Sequence, residues 1–211
     1  MTTADPFNAD AFFKVLRSRR SVRAFTDRQP DRTLLDRLIE AAQWAPSNHN
    51  RQGWKFLVFQ APSQIGALAE NVRQALSEHL ASANRLLATQ GQELLHFSTL
   101  FAQAPTMILA MHKKSPAVGK ALVSASGNRY ASGEALSTAM AVQNLLLMAH
   151  VLGLGACVMT APLLASSAWE SLDLPAGFEP TCLVAVGYPA ENPAPPRRKA
   201  VEHIVEFFEN R

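Results

Sequence analysis

A single α+β domain, or a three-layer α/β one, is the fold that residues 1–211 predict, on three observations. Segments with apolar residues at helical spacing interleave with a few short β-prone runs, the pattern of helices packed on a modest sheet. One segment, 134–155, reads EALSTAMAVQNLLLMAHVLGLG and is apolar or small on all sides apart from Glu134, Gln143, Asn144 and His150. It is expected to be a central helix buried on every face, shared across a subunit interface and ending at Gly153 and Gly155. No internal repeat or separate linker divides the chain.

A membrane span is the rival reading of 134–155, because roughly 20 apolar residues cross a bilayer. The Ser, Thr, Gln, Asn and His side chains would be dehydrated in lipid, and nothing else in the chain resembles a second span. A helix of a packed core is the better reading.

From the N-terminus, residues 1–9 read as a loose end. Asp10 is placed to cap a short helix, AFFKVLRSR, with Phe12, Phe13 and Leu16 on its apolar side. Asp31 or Thr33 opens the next helix, which runs to about Trp44 because Pro46 disfavours helix in the residue before it. The polar stretch 46–54, PSNHNRQGW, then leads into a strand, KFLVFQ. Such a stretch is either a binding loop or a plain turn rich in Asn, Ser and Gly. Residues 63–103 are mostly helix-forming, and TMILAMH after Pro105 is the second strand. Residues 113–132 turn polar and read as a mobile excursion beside a site. ACVMTAP is the third strand and its turn, 165–172 a short helix, and TCLVAVG the fourth strand. The Pro-rich run YPAENPAPPRRK begins an extended C-terminal arm, 188–211. Within it VEHIVEFF alternates like a strand, with Val201, His203, Val205 and Phe207 on one side.

Charge is more informative in its placement than in its sum. The net charge is +3, which gives weak support to nucleic-acid binding. Lys14, Arg17, Arg19, Arg20 and Arg23 cluster without an intervening acid, and Arg197, Arg198 and Lys199 form a second cluster. Together they suggest a compact anion such as a phosphate; either alone reads better as a solvated face. Hydrophobic residues make up 48% of the chain and charged residues 18%, a balance that suits an oligomer with an apolar interface. Cys157 and Cys182 read as lone buried thiols in a reducing compartment. With no basic-then-apolar start in MTTADPFNAD, cytoplasm is the expectation. The six histidines show no metal-ligand spacing, and His49 is the only one inside a candidate site. No Gly-rich dinucleotide loop opens a helix, since GLGAC follows one instead.

Four motifs in order then carry a resemblance. Arg19-Arg20-Ser21-x-Arg23, Pro46-Ser47-x-x-Asn50-x-Gln52-x-Trp54, the run Gln143 to Leu147 with Gly153-Leu154-Gly155, and Gly187-Tyr188-Pro189 followed by Arg198-Lys199 resemble the FMN-dependent nitroreductase family. The resemblance implies a nitroreductase-like α/β/α fold, with helices flanking a mostly antiparallel central sheet. It also implies an intertwined homodimer with FMN at the subunit interface, and hydride passing from NADH or NADPH through flavin N5 in a ping-pong cycle. The acceptor would be a nitroaromatic, a quinone or a similar flat molecule, with no metal and no membrane or nucleic-acid partner. By position, Arg19, Arg20 and Ser21 would hold the phosphate and ribityl end, and Arg198 with Lys199 would complete it. Arg23 would lie towards the pyrimidine edge. Ser47, Asn48 and Asn50 would come from the partner subunit, and Pro46 and Gln52 of the same motif would also bind the cofactor. The backbone of Val158, Met159, Thr160 and Ala161 would face the ring, with the Thr160 N–H near N5. No catalytic side chain is needed beyond the flavin. Gly53 stands where the family usually has Pro, and Ala161 where Gly is common. Reductive dehalogenation, oxygen-dependent flavin fragmentation and a non-enzymatic flavin-binding role stay open on the same fold.

Overall fold

The computed structural model describes residues 8–81, 85–115 and 133–208, without the side chains of 85–90. Its sheet has four strands, β1 (Trp54–Phe59), β2 (Thr106–Lys113), β3 (Gly155–Met159) and β4 (Phe178–Gly187), in the order β1-β2-β4-β3. All three pairings are antiparallel, with Leu57 opposite Leu109, Leu109 opposite Leu183, and Val158 opposite Val184. The central strands β2 and β4 are almost continuously apolar because both sheet faces are covered.

Alternation divides them between two cores. Met107, Leu109, Met111, Leu183 and Ala185 point towards α3 (Pro62–Ala81) and α4 (Arg85–Thr99). Ile108, Ala110, Cys182, Val184 and Val186 point towards α2 (Arg32–Gln43) and α5 (Gly133–Val151). The three layers predicted for the chain are therefore present. A short α6 (Ser166–Glu170) places the buried Trp169 in the first core.

Local signals set the ends of the elements. Asp31 caps α2 by accepting from the Leu34 N–H at 2.9 Å. Helix α1 (Ala9–Ser18) starts earlier than its sequence suggests: Asn8, not Asp10, accepts from the Ala11 N–H, and Asp10 lies inside the first turn. Phe12, Phe13 and Leu16 are exposed on α1. At the end of α5, the Leu154 N–H donates to Ala149 O and the Gly153 N–H to His150 O, while Gly153 takes φ +75°. This is the left-handed glycine stop expected there.

Two expectations are corrected. Helix α5 is not buried on every face by its own chain: Leu136, Met140 and Val151 are 54%, 42% and 58% exposed. The sheet, α2, α1 and the turn at Asn48–Asn50 pack against it and leave these three side chains exposed. VEHIVEFF is not a strand, but a 3-10 turn at Val201–His203 and an irregular, exposed tail. Alternation needs a neighbouring strand to bond to, and residues 201–208 have none beside them among the described residues. Of the polar excursion at 113–132, residues 116–132 lie outside the described residues.

Candidate functional site

The free edge of β3 positions the N-terminal arginines. The Val22 N–H donates to Ala156 O at 3.1 Å, forming a parallel bridge between Ser21 and Ala156. Gly155 permits this approach, since a Cβ there would lie 2.7 Å from Val22 Cγ1. The segment after Val22 then pairs with the chain leaving β4. The Thr26 N–H donates to Tyr188 O and the Ala190 N–H to Ala24 O, both at 2.9 Å. Arg28 stacks over the Tyr188 ring, 4.1 Å from its centroid. This pairing starts the C-terminal arm beside the N-terminal segment and brings the two basic clusters together.

Arg19 records that convergence. Burial first, and then the like charges of Arg198 and Arg20, hold its guanidinium below the ordinary arginine pKa. Among the described residues, no carboxylate forms an ion pair with Arg19, Arg20 or Arg198. Arg20 folds back on the end of α1, and its Nη1 donates to Arg17 O at 2.6 Å and Arg19 O at 2.8 Å. Its Nε is left buried without a partner. Unpaired buried donors are rare in folded proteins. Cys157 faces the same cluster; burial raises its pKa, and Arg23 and Arg19 oppose the rise. Lys199 is exposed.

Beyond Cys157, β3 supplies an open stretch of backbone. Val158 is 42% exposed and Thr160 is exposed, before a 3-10 turn at Ala161–Leu164. The Met159 side chain is buried in the first core.

The polar loop is elsewhere in its own chain. The Asn48 N–H donates to Ser137 Oγ at 3.0 Å, whereas the end of α1 meets His150. Ser137 and His150 are about 20 Å apart along α5 at 1.5 Å per residue. The loop is also tightly organised. His49, Asn50 and Gln52 all take left-handed φ of +51°, +51° and +48°, a costly conformation for non-glycine residues. Ser47 Oγ accepts from the Gln52 N–H at 2.9 Å, and the Gln52 side chain donates to Asn50 Oδ1 at 3.3 Å. Buried Glu134 anchors the loop through Arg51 at 3.4 Å and through the side chain of Asn48. Pro46 and His49 are exposed.

Three residues at these two places were given no role from the sequence: Glu134, His150 and Glu191. Glu134 had a signal, as the one charge at the start of an apolar helix.

The model of the Nitroreductase family matches residues 16–188, most of the chain. The chain belongs to the nitroreductase family. Among relatives of this nitroreductase-family chain, an iodotyrosine deiodinase of Drosophila melanogaster is 28% identical over 216 aligned residues, covering 97% of this chain and 72% of that protein. A BluB-like flavoprotein of Clostridium difficile 630 has a similar fold, with a TM-score of 0.80 at 22% identity and coverage of 94% and 99%. A nitroreductase with bound FMN from Bacteroides fragilis gives a TM-score of 0.69 at 20% identity, covering 93% and 98%.

Proposed function

We propose that this chain is an FMN-dependent oxidoreductase that passes hydride from NADH or NADPH to a nitroaromatic, a quinone or a similar flat acceptor, acting as a homodimer. The observation that carries the reading is the convergence of Arg19, Arg20 and Arg198 with no carboxylate paired to them among the described residues. Three cations held together repel one another unless an anion joins them, and Arg20 also keeps a buried Nε without a partner. A phosphomonoester fits that donor set.

When bound, FMN supplies a ring that takes up hydride and returns the electrons to an acceptor. The residues of the chain bind and tune it. Arg19, Arg20 and Arg198 hold the phosphate, and Ser21 the ribityl end. Arg23 offers a cation for negative charge developing at the pyrimidine edge. The open backbone from Val158 to Ala161 would lie against the ring, with the Thr160 N–H to orient it. No side-chain acid or base is assigned to the hydride step.

The distance between loop and arginines supports a site shared by two copies, with Ser47, Asn50 and Gln52 reaching the cofactor from the second. Asn48 shapes this loop, since its side chain is engaged by Glu134. The exposed side of α5 and the apolar arm residues Ile204, Phe207 and Phe208 support the same dimer. So does β1, which has a strand neighbour on one side only and forms a groove of about 780 Å³ with α2 and residues 172–174. Two free, buried cysteines fit a reducing compartment such as the cytoplasm.

The test is direct. FMN-loaded protein should be yellow, be bleached by NADH or NADPH without oxygen, and regain its colour with a quinone or nitroaromatic. Protein that rejects FMN would end the reading. A second reading, reductive dehalogenation, is favoured by the name of the Drosophila relative. Halide release from an iodinated phenol by the reduced protein, in preference to nitroaromatic turnover, would select it.

A further inference from the structure

The arginine cluster contains a titratable ring to which the proposed function gives no role. His150 lies in the last turn of α5, with its Nε2 2.7 Å from Ser18 Oγ. The one hydroxyl proton of Ser18 is already committed, donated to Lys14 O at 2.7 Å with Val15 O at 3.3 Å. Ser18 Oγ therefore accepts, so neutral His150 carries its proton on Nε2 and keeps the lone pair on Nδ1. Arg19 and Arg20 follow Ser18 directly, so the ring braces the helix end from which both guanidiniums emerge.

The charges that act on His150 are those of Arg19 and Arg20, and no described carboxylate does. Burial first, and then these two cations, hold its pKa below the ordinary histidine value. A dianion bound at the arginines cancels their field. The carboxyl end of α5, whose dipole favours a cation, then acts together with the dianion against the burial that remains.

We propose that His150 is a proton-linked positioning residue: neutral, it braces Ser18 and through it Arg19 and Arg20, and it takes a proton from solvent when a phosphomonoester binds there. This rests on the assignment of Arg19, Arg20 and Arg198 to the FMN phosphate.

Calorimetric titration of the full chain with FMN and with riboflavin tests it, in two buffers of different ionisation enthalpy at about pH 7.5, where the phosphomonoester is a dianion. FMN should bind with net proton uptake and riboflavin without it. His150→Gln keeps an N–H for Ser18 but cannot titrate, so FMN should still bind while the uptake disappears. Wild-type affinity for FMN should strengthen from about pH 8 to about pH 6.5 by up to about tenfold per unit, the limit for one linked proton. His150→Gln should lose that slope. Equal uptake in both proteins overturns the proposal. So does no uptake in wild type while FMN still binds more tightly than riboflavin, an outcome that leaves the phosphate site standing. Equal affinity for FMN and riboflavin overturns the phosphate site and the proposal with it.

Discussion

Glu191 reaches back across 168 residues to accept the backbone N–H of Arg23 at 2.5 Å. The same oxygen accepts from the Ala24 N–H at 3.0 Å. One exposed carboxylate thus fastens the start of the C-terminal arm to the segment that carries Arg19 and Arg23.

Those two N–H groups, with a smaller contribution from the Arg23 charge, hold the Glu191 pKa below the usual carboxylate range. A depressed folded pKa means that the stabilisation is fully present above the unfolded value, about 4.3, and is lost as pH falls through the folded one. At neutral pH, Glu191→Ala should cost about 1 kcal/mol, discounted for exposure. Scanning calorimetry should then show a melting point lower by roughly 2–4 °C, and the difference should vanish in acid. FMN affinity, read by flavin fluorescence, should fall severalfold as the two segments part.

Arg198→Ala should weaken FMN binding by about 1.5–3 kcal/mol, the range for hydrogen bonds to charged groups, with riboflavin binding unchanged. Arg19→Ala should behave alike. Without flavin, Arg198→Ala should not lower the melting temperature, because the change removes a repulsion from Arg19. Loss of riboflavin and FMN binding together would place Arg198 away from the phosphate.

Glu134→Ala should unsettle the loop more than the core. Its carboxylate bonds Ser115 at 3.2 Å and Arg51 at 3.4 Å, and Asn48 donates to it as well. Burial raises its pKa, but a backbone hydrogen bond, Ser115, Asn48 and Arg51 together lower it further, for a net depression. Its stabilisation is therefore present above the ordinary carboxylate pKa and lost as pH falls below it. Arg51 is half exposed, so removing the pair should cost about 1–2 kcal/mol, less than a fully buried one. Limited proteolysis should find 47–52 newly cleavable. Unchanged protection there would show that the loop holds its left-handed turns unaided.

Gly155→Ala should displace the segment bridged to β3. The new Cβ would meet Val22 Cγ1 at 2.7 Å and Val22 Cβ at 2.8 Å. Overpacking of this kind costs about 1–3 kcal/mol, and chemical denaturation should show it. FMN affinity should drop alongside, since Arg19 and Arg23 lie on the displaced segment.

The four strands, the cap at Asp31 and the glycine stop of α5 were legible in the sequence because each depends on a few neighbouring residues. The meeting of Arg19 with Arg198 was legible too, from two cationic clusters without acids among them. Glu134, His150 and Glu191 were not, because each acts through contacts 83, 132 and 168 residues away in sequence. Asn8 and Asp10 are equally good caps by type; the structure chose the earlier one. The tail at 201–208 shows the opposite failure, where alternation was real but lacked a neighbour to turn it into a strand. An open side of α5 cannot be told from a buried one when every side chain on it is small or apolar.

The sheet order also fixes when this chain can fold. The seam at its centre joins Thr106 to Val186, 80 residues on, and loop closure over such a span is slow. During synthesis, β2 must wait beside β1 with its other flank unsatisfied until residues beyond Gly187 leave the ribosome. From the emergence of β2 until β4 follows it, then, the polypeptide exposes a greasy ribbon, and chaperone supply at that moment should govern its yield in a cell more than the strength of the finished core.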